Sequence, residues 1–128
     1  MAIKSSQSLV KEALSQIKTI SSEEAKKKID DKECNLIDLR DIRELEKNGR
    51  IENSIHIPRG MLEFWMDPES AYFKDGKIDM NKEMVLFCAG GLRSALATKS
   101  LQEMGFTNVC HIEGGFGAMQ NSGFKVIK

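Results

Sequence analysis

The chain contains no apolar run long enough to cross a bilayer, and its start lacks the apolar core of a signal peptide. A membrane-spanning or exported protein is therefore not expected, and the default compartment is the cytoplasm, where thiols stay reduced. Neither sign of charge is in excess. Nineteen basic residues oppose nineteen acidic ones, which removes the electrostatic case for nucleic acid or an anionic membrane as a partner. Cysteine is scarce as well. Cys34, Cys88 and Cys110 are an odd number with no paired spacing and no C-x-x-C, so a disulfide framework, thioredoxin-like exchange and a zinc site are all disfavoured. Cys110 and His111 are contiguous and would point to opposite faces of a strand, so no metal is expected. There is no internal repeat and no low-complexity tract.

What is present is ordinary in bulk. The 128 residues are 41% hydrophobic and 30% charged, enough for one domain with its own core. Two apolar runs, 35–39 and 84–87, read as buried strands, and 19–20, 55–57 and 108–112 as shorter ones. Helical patterns lie between them. One opens at Ser21-Ser22-Glu23-Glu24 with a serine cap and early acidic residues, and runs to about Asp30. Others cover Asp41 to Lys47, the segment from Gly60 to Trp65, and a stretch from Arg93 or Ser94 to just before Gly105, with Ala97, Leu101 and Met104 as its inward stripe. A last helix follows Gly114-Gly115. Strands alternating with helices predict an α/β domain with a mainly parallel sheet.

Residues 1–18 read as a separate amphipathic helix, with Leu9, Val10, Ala13, Leu14 and Ile17 at helical spacing, ahead of a domain over 19–128. That helix either caps the domain or mediates a homodimer. Residues 67–81 break the rhythm and read as a long loop of the kind that borders a functional site.

Chemistry concentrates at Cys88-Ala89-Gly90-Gly91-Leu92-Arg93-Ser94. Cys88 falls where a buried strand gives way to a helix, the place where open parallel sheets bind ligands. The helix start supplies unpaired N–H groups and a partial positive charge, both of which favour a thiolate. Gly90 and Gly91 let successive amides converge, and Arg93 adds a cation. The result is an anion cradle containing a nucleophile. Cys34 and Cys110 have no such neighbours and read as small buried hydrophobes. Four residues separate Cys88 from Arg93, one fewer than in the cysteine phosphatases. A shorter loop suits one extra sulfur atom better than a phosphate.

These residues resemble the rhodanese family. The loop is similar to the family's Cys-x-x-Gly-x-Arg-Ser segment, and Leu36-Ile37-Asp38-Leu39-Arg40 with Glu44 to its Asp-Val-Arg segment and following Glu. Gly49-Arg50-Ile51 through Ile55-His56-Ile57-Pro58 resembles its Gly-His-Ile…Ile-x-Ile-Pro motif, and Glu113-Gly114-Gly115-Phe116 with Ala118 its closing Glu-Gly-Gly element. Arg50, Asn53 and Met119 stand where the family usually has histidine, glycine and tryptophan.

The resemblance implies a rhodanese-like fold, a central five-stranded mainly parallel sheet flanked by helices on both faces. It also implies a thiosulfate or persulfide sulfurtransferase. Cys88 would carry the sulfur as a persulfide, held by Ala89, Gly90, Gly91, Leu92, Arg93 and Ser94. The donor would be a small anion such as thiosulfate and the acceptor a thiol or a protein, with no cofactor. Asp38, Arg40, Arg59 and Trp65 are candidate supports, Asp38 with Arg40 as an ion pair and Arg59 as an aid to an anionic donor. Trp65 or Phe64 would form one wall of the site, and Tyr72, Phe73 and Lys74 part of its rim. His56 and His111 read as hydrogen-bonded structural histidines. Two other functions stay open: a non-catalytic binding or redox-sensing module, and a cysteine phosphatase or arsenate reductase.

Overall fold

A computed structural model describes residues 2–73 and 76–128; Lys74, assigned above to the rim, lies outside the described residues. Five strands form a parallel sheet: β1 (Lys18–Ile20), β2 (Cys34–Asp38), β4 (Ile55–His56), β5 (Glu83–Phe87) and β6 (Val109–Ile112), in the order β1-β6-β5-β2-β4. Every residue of β2, β5 and β6 is buried. A parallel strand covered on both faces has no solvent side, which is why these segments read as continuous apolar runs rather than as alternation.

The two faces are covered by different helices. Leu36, Val85, Phe87, Cys110 and Ile112 pack with residues of α2 (Ser22–Asp30) and α6 (Gly115–Gln120). Ile37, Leu86, Cys88 and Val109 pack with Leu62 and Met66 of α4 (Leu62–Met66) and with Ala97 and Leu101 of α5 (Leu92–Glu103). Strand alternation sends neighbouring residues to opposite cores. Ser21 caps α2, and α3 (Ile42–Asn48) starts with a capping box in which Asp41 and Glu44 satisfy each other's backbone amides. The first helix, α1 (Ser6–Leu14), lies on α5 through Val10, Ala13 and Ala95.

Several expectations need correction. A second, two-stranded antiparallel sheet pairs β3 (Arg50–Ile51) with β7 (Val126–Ile127), and strands of two residues leave no periodicity to read. The inward face of α5 holds Ala97 and Leu101, but Met104 is exposed at its C-terminal cap. The last turn has already cleared the sheet, and Phe106 packs on the core instead. On α1, Leu9 and Leu14 are exposed while Val10 and Ala13 are buried, because one neighbouring helix covers a narrower stripe than a sheet does. Among the described residues no helix is long and apolar enough to cross a membrane.

Candidate active site

Cys88 sits one residue beyond β5, whose end is fixed to β2 by a hydrogen bond from the Leu39 amide to the Phe87 carbonyl (2.9 Å). The chain then turns through Gly91, which has a φ of +107° suited to glycine and leads directly into α5. The helix therefore starts at Leu92, slightly earlier than expected. This turn wraps amides around the sulfur: Gly91 N–H donates to Cys88 Sγ at 3.1 Å and Ser94 N–H at 3.4 Å. The Cys88 thiol lies 3.6 Å from Ser94 Oγ, to which it donates. Burial acts to raise the thiol pKa. The Ser94 hydroxyl and the amides of Ser94, Gly91 and Gly90 outweigh it, so the pKa falls below the ordinary thiol value. Cys88 is only 1% exposed, yet it is the acidified thiol.

The back of the loop is clamped by α6. Phe116 N–H donates to the Cys88 carbonyl (2.8 Å) and Gly117 N–H to the Ala89 carbonyl (3.4 Å). With the carbonyls held outward, the amides are free to turn toward the sulfur. The close approach needs Gly115: a side chain there would collide with the Cys88 carbonyl and come within 2.8 Å of the Ala89 oxygen, and its φ of +56° also favours glycine. The sequence marks the Gly114-Gly115 pair as a motif without showing that it touches the loop.

Asp38 and Arg40 form an ion pair that reaches this clamp. Both are fully buried and joined by side-chain hydrogen bonds of 2.8 to 3.2 Å, and Arg40 also donates to the Gly49 carbonyl. The Arg40 guanidinium lies 4.0 Å from the centre of the Phe116 ring, the residue whose amide holds Cys88. His56 Nε2 is 2.7 Å from the Arg40 carbonyl.

Arg93 lies within electrostatic reach of Cys88, and its guanidinium is bound by both oxygens of Glu44 at 2.8 and 3.0 Å. That partner lowers the Glu44 pKa and compensates part of the arginine's charge. The expected free cation is thus one half of an ion pair. Ala89, Gly90 and Leu92 are exposed and form the outer surface of the loop.

The outlying supports do not gather here. Arg59 is held by Glu63 (3.0 Å) and by Ser100 Oγ (3.2 Å), two turns beyond the loop along α5, so its charge is spent away from the sulfur. Trp65 packs on the α4–α5 core and lines a cavity with Ile42, Leu45 and His56, next to α3 and β4. Phe64 and Tyr72 are exposed. In the described part of 67–81, Asp79 is anchored at the opposite end of the sheet, where Asn35 bonds both its amide and its carbonyl. Asp67, Pro68 and Met80 line a cavity there with Lys82 and Asn108, at the N-terminal strand ends. That cavity lies away from the Cys88 loop, which follows the C-terminal end of β5.

His111 is the hydrogen-bonded core histidine expected from the sequence, but the sequence does not show its partners. Its Nδ1 is 2.8 Å from Ser94 Oγ, the hydroxyl beside the sulfur. The pairing of Leu86 with His111 across β5 and β6 puts the histidine on the Cys88 side of the sheet. Register alone would have revealed it, and register is not written in a single sequence.

Residues 21–122 match the family model of the Rhodanese-like domain. The chain is 38% identical over 106 residues to the Bacillus subtilis protein named "Putative sulfurtransferase YtwF", covering 82% of this chain and 92% of that one. A solved Rhodopseudomonas palustris protein of unknown function, described as a "Possible Tyrosine Phosphatase", is 41% identical, with a TM-score of 0.90 over 99% of this chain and 97% of that one. A rhodanese-related protein from Thermoplasma volcanium is 29% identical, with a TM-score of 0.67 over 86% and 97% of the two chains. Some curated relatives are longer: the chain spans 51% of a Bacillus subtilis protein named as a sulfur carrier and 26% of the Photorhabdus laumondii tRNA uridine(34) hydroxylase. The domain match and the architecture agree: this chain belongs to the rhodanese-like domain family.

Proposed function

We propose that the chain is a sulfurtransferase that moves a sulfane sulfur from a small anionic donor, such as thiosulfate or a persulfide, to a thiol or protein acceptor through a Cys88 persulfide. The observation that carries this reading is a buried thiol with a lowered pKa under the converging amides of Gly91 and Ser94. The Cys88 thiolate attacks the outer sulfur of thiosulfate. The donor's S–S bond breaks, sulfite leaves with the bonding pair, and the outer sulfur stays on Cys88 as a persulfide anion. An acceptor thiolate, or cyanide in an assay, then attacks that sulfur and returns Cys88 to the thiolate. The helix start and the loop from Ala89 to Ser94 favour the negative charge in both states. Such chemistry requires a reduced thiol, consistent with a cytoplasmic setting.

The phosphatase reading, which the description of the Rhodopseudomonas palustris relative brings to mind, meets a loop one residue short of the phosphatase spacing. Incubation with thiosulfate, followed by mass measurement and a cyanide assay for thiocyanate, tests the proposal. A gain of one sulfur and turnover, both lost in Cys88→Ser, are expected. No adduct and no turnover with thiosulfate, polysulfide or a persulfide would overturn the reading and leave a binding or sensing module.

A further inference from the structure

His111 is a buried histidine that the sulfur-transfer steps do not use. It is 2% exposed, and burial holds its pKa below the ordinary histidine value. Two hydroxyls face its ring, one from each side: Ser94 Oγ of α5 lies 2.8 Å from Nδ1 and Thr19 Oγ1 of β1 lies 3.0 Å from Nε2. Ser94 Oγ in turn is 3.6 Å from Cys88 Sγ. At the far end, Thr19 is exposed on β1, an edge strand of the sheet. The line Cys88–Ser94–His111–Thr19 therefore runs from an enclosed thiol to solvent. Among the described residues, Arg93 of α5 is a charged group that interacts with the sulfur, and Glu44 of α3 is paired with that arginine.

We propose that His111 is a positioning residue for Cys88: by exchanging tautomers it turns the Ser94 hydroxyl from acceptor of the thiol proton into donor to the thiolate, and passes the released proton to solvent through Thr19. In the thiol state Cys88 S–H donates to Ser94 Oγ, Ser94 O–H to His111 Nδ1, and His111 Nε2–H to Thr19 Oγ1. On ionisation the sulfur's proton moves to Ser94 and the proton of Ser94 moves to Nδ1. The Nε2 proton moves to Thr19, and Thr19 releases its own proton to water. Every bond now runs the other way: Thr19 O–H donates to Nε2, Nδ1–H to Ser94 Oγ, and Ser94 O–H to the thiolate. One proton has left, and the sulfur alone has gained charge. A neutral imidazole with one donor and one acceptor nitrogen is the ring this exchange requires. Imidazolium would have no acceptor.

The inference takes Cys88 as the reacting thiol. Alkylation by iodoacetamide reads that thiol with no sulfur donor present, so failure of this chain and failure of sulfur transfer are distinguishable. The first measurement is nitrogen-15 NMR of the His111 ring in the unaltered protein across the Cys88 titration. The expected result is an Nε2–H tautomer with the thiol and an Nδ1–H tautomer with the thiolate; one tautomer at every pH would overturn the proposal. The second is the pH profile of Cys88 alkylation and of thiolate ultraviolet absorbance. His111→Phe should slow alkylation about tenfold below the transition, by raising the thiol's apparent pKa about one unit, and leave the high-pH plateau unchanged. His111→Asn, whose amide N–H can still donate to Ser94 Oγ, should recover most of that loss. A folded His111→Phe protein with an unshifted profile would show that the histidine only fills space.

Discussion

Cys88 follows β5 and Cys110 lies on the neighbouring β6, in the cores on opposite faces of the sheet, and they are equally enclosed, at 1% and 0% exposed, yet their thiols are driven in opposite directions. Burial raises Cys110 to about 12, and the nearby Glu83 carboxylate adds to the effect. Cys34, at the start of β2, is raised to about 11 for the same two reasons. Cys88 meets the same burial and still ends below the ordinary value. The difference is what surrounds the sulfur. At Cys110 the backbone amides are engaged in the ladder of a continuing strand. At Cys88 the strand has just ended and the next helix has not yet closed its first turn, so the amides of Gly91 and Ser94 are not taken up by a ladder and donate to the sulfur instead. Low dielectric works against a thiolate when donors are absent, and strengthens each donor that is present.

The largest consequence is chemical selectivity. Iodoacetamide near neutral pH should label Cys88 and spare Cys34 and Cys110, with rates differing by about a hundredfold or more, since thiolate fraction falls tenfold per unit of pKa. Peptide mapping after a timed reaction reads the three sites separately. Comparable labelling of Cys110 in the folded protein would show that access, not donors, sets reactivity.

A smaller loss follows from disturbing the clamp while leaving the sulfur in place. Gly115→Ala puts a methyl group into the carbonyls of Cys88 and Ala89, at a φ that disfavours any side chain. Either α6 retreats or the loop does. Destabilisation of about 1–3 kcal/mol is expected, together with a rise in the Cys88 thiol pKa that slows its alkylation about tenfold. Gly117→Ala, in open space on the same helix, is the control and should leave both unchanged. Equal behaviour of the two variants would mean that the α6 contact does not shape the cradle.

The comparison also explains what the sequence could and could not show. Leu36-Ile37 and Val85-Leu86 are legible because a strand buried on both faces must be apolar throughout. The Cys88 loop is legible because its chemistry is local: nucleophile, glycines, arginine and helix start fall within seven consecutive residues. What lies across the fold is not. The links from Gly115 to the Cys88 carbonyl, from His111 to Ser94 and from Arg40 to Phe116 each join segments far apart in the chain, and only the strand register brings them together. Arg59 shows the converse error. Its position past a strand end suggested the site, but a glutamate one helical turn away and Ser100 claim its guanidinium. The two-residue strands β3 and β7 exist only because each finds the other.

The smallest effect concerns stability at alkaline pH, and its sign distinguishes the two kinds of cysteine. In the unfolded chain each thiol loses its proton near the ordinary value of 9.0, whereas folded Cys110 keeps it until about 12. Between those values the native state binds the extra proton, so stability falls as pH rises, by at most about 1.4 kcal/mol per pH unit for each such thiol. Cys34 adds a similar slope between 9.0 and about 11. Cys88 acts with the opposite sign: its lowered pKa gives stability above the unfolded value that is lost as pH falls through the folded one. Urea midpoints measured from about pH 8 to about pH 11 should therefore decline less steeply in Cys110→Ala than in the parent protein, despite a lower starting stability from the cavity. Lysine and tyrosine titration is common to both proteins and cancels in the difference. Parallel curves would mean that the folded Cys110 thiol ionises near its ordinary value, and that the contrast with Cys88 is weaker than the hydrogen bonds around the two sulfurs imply.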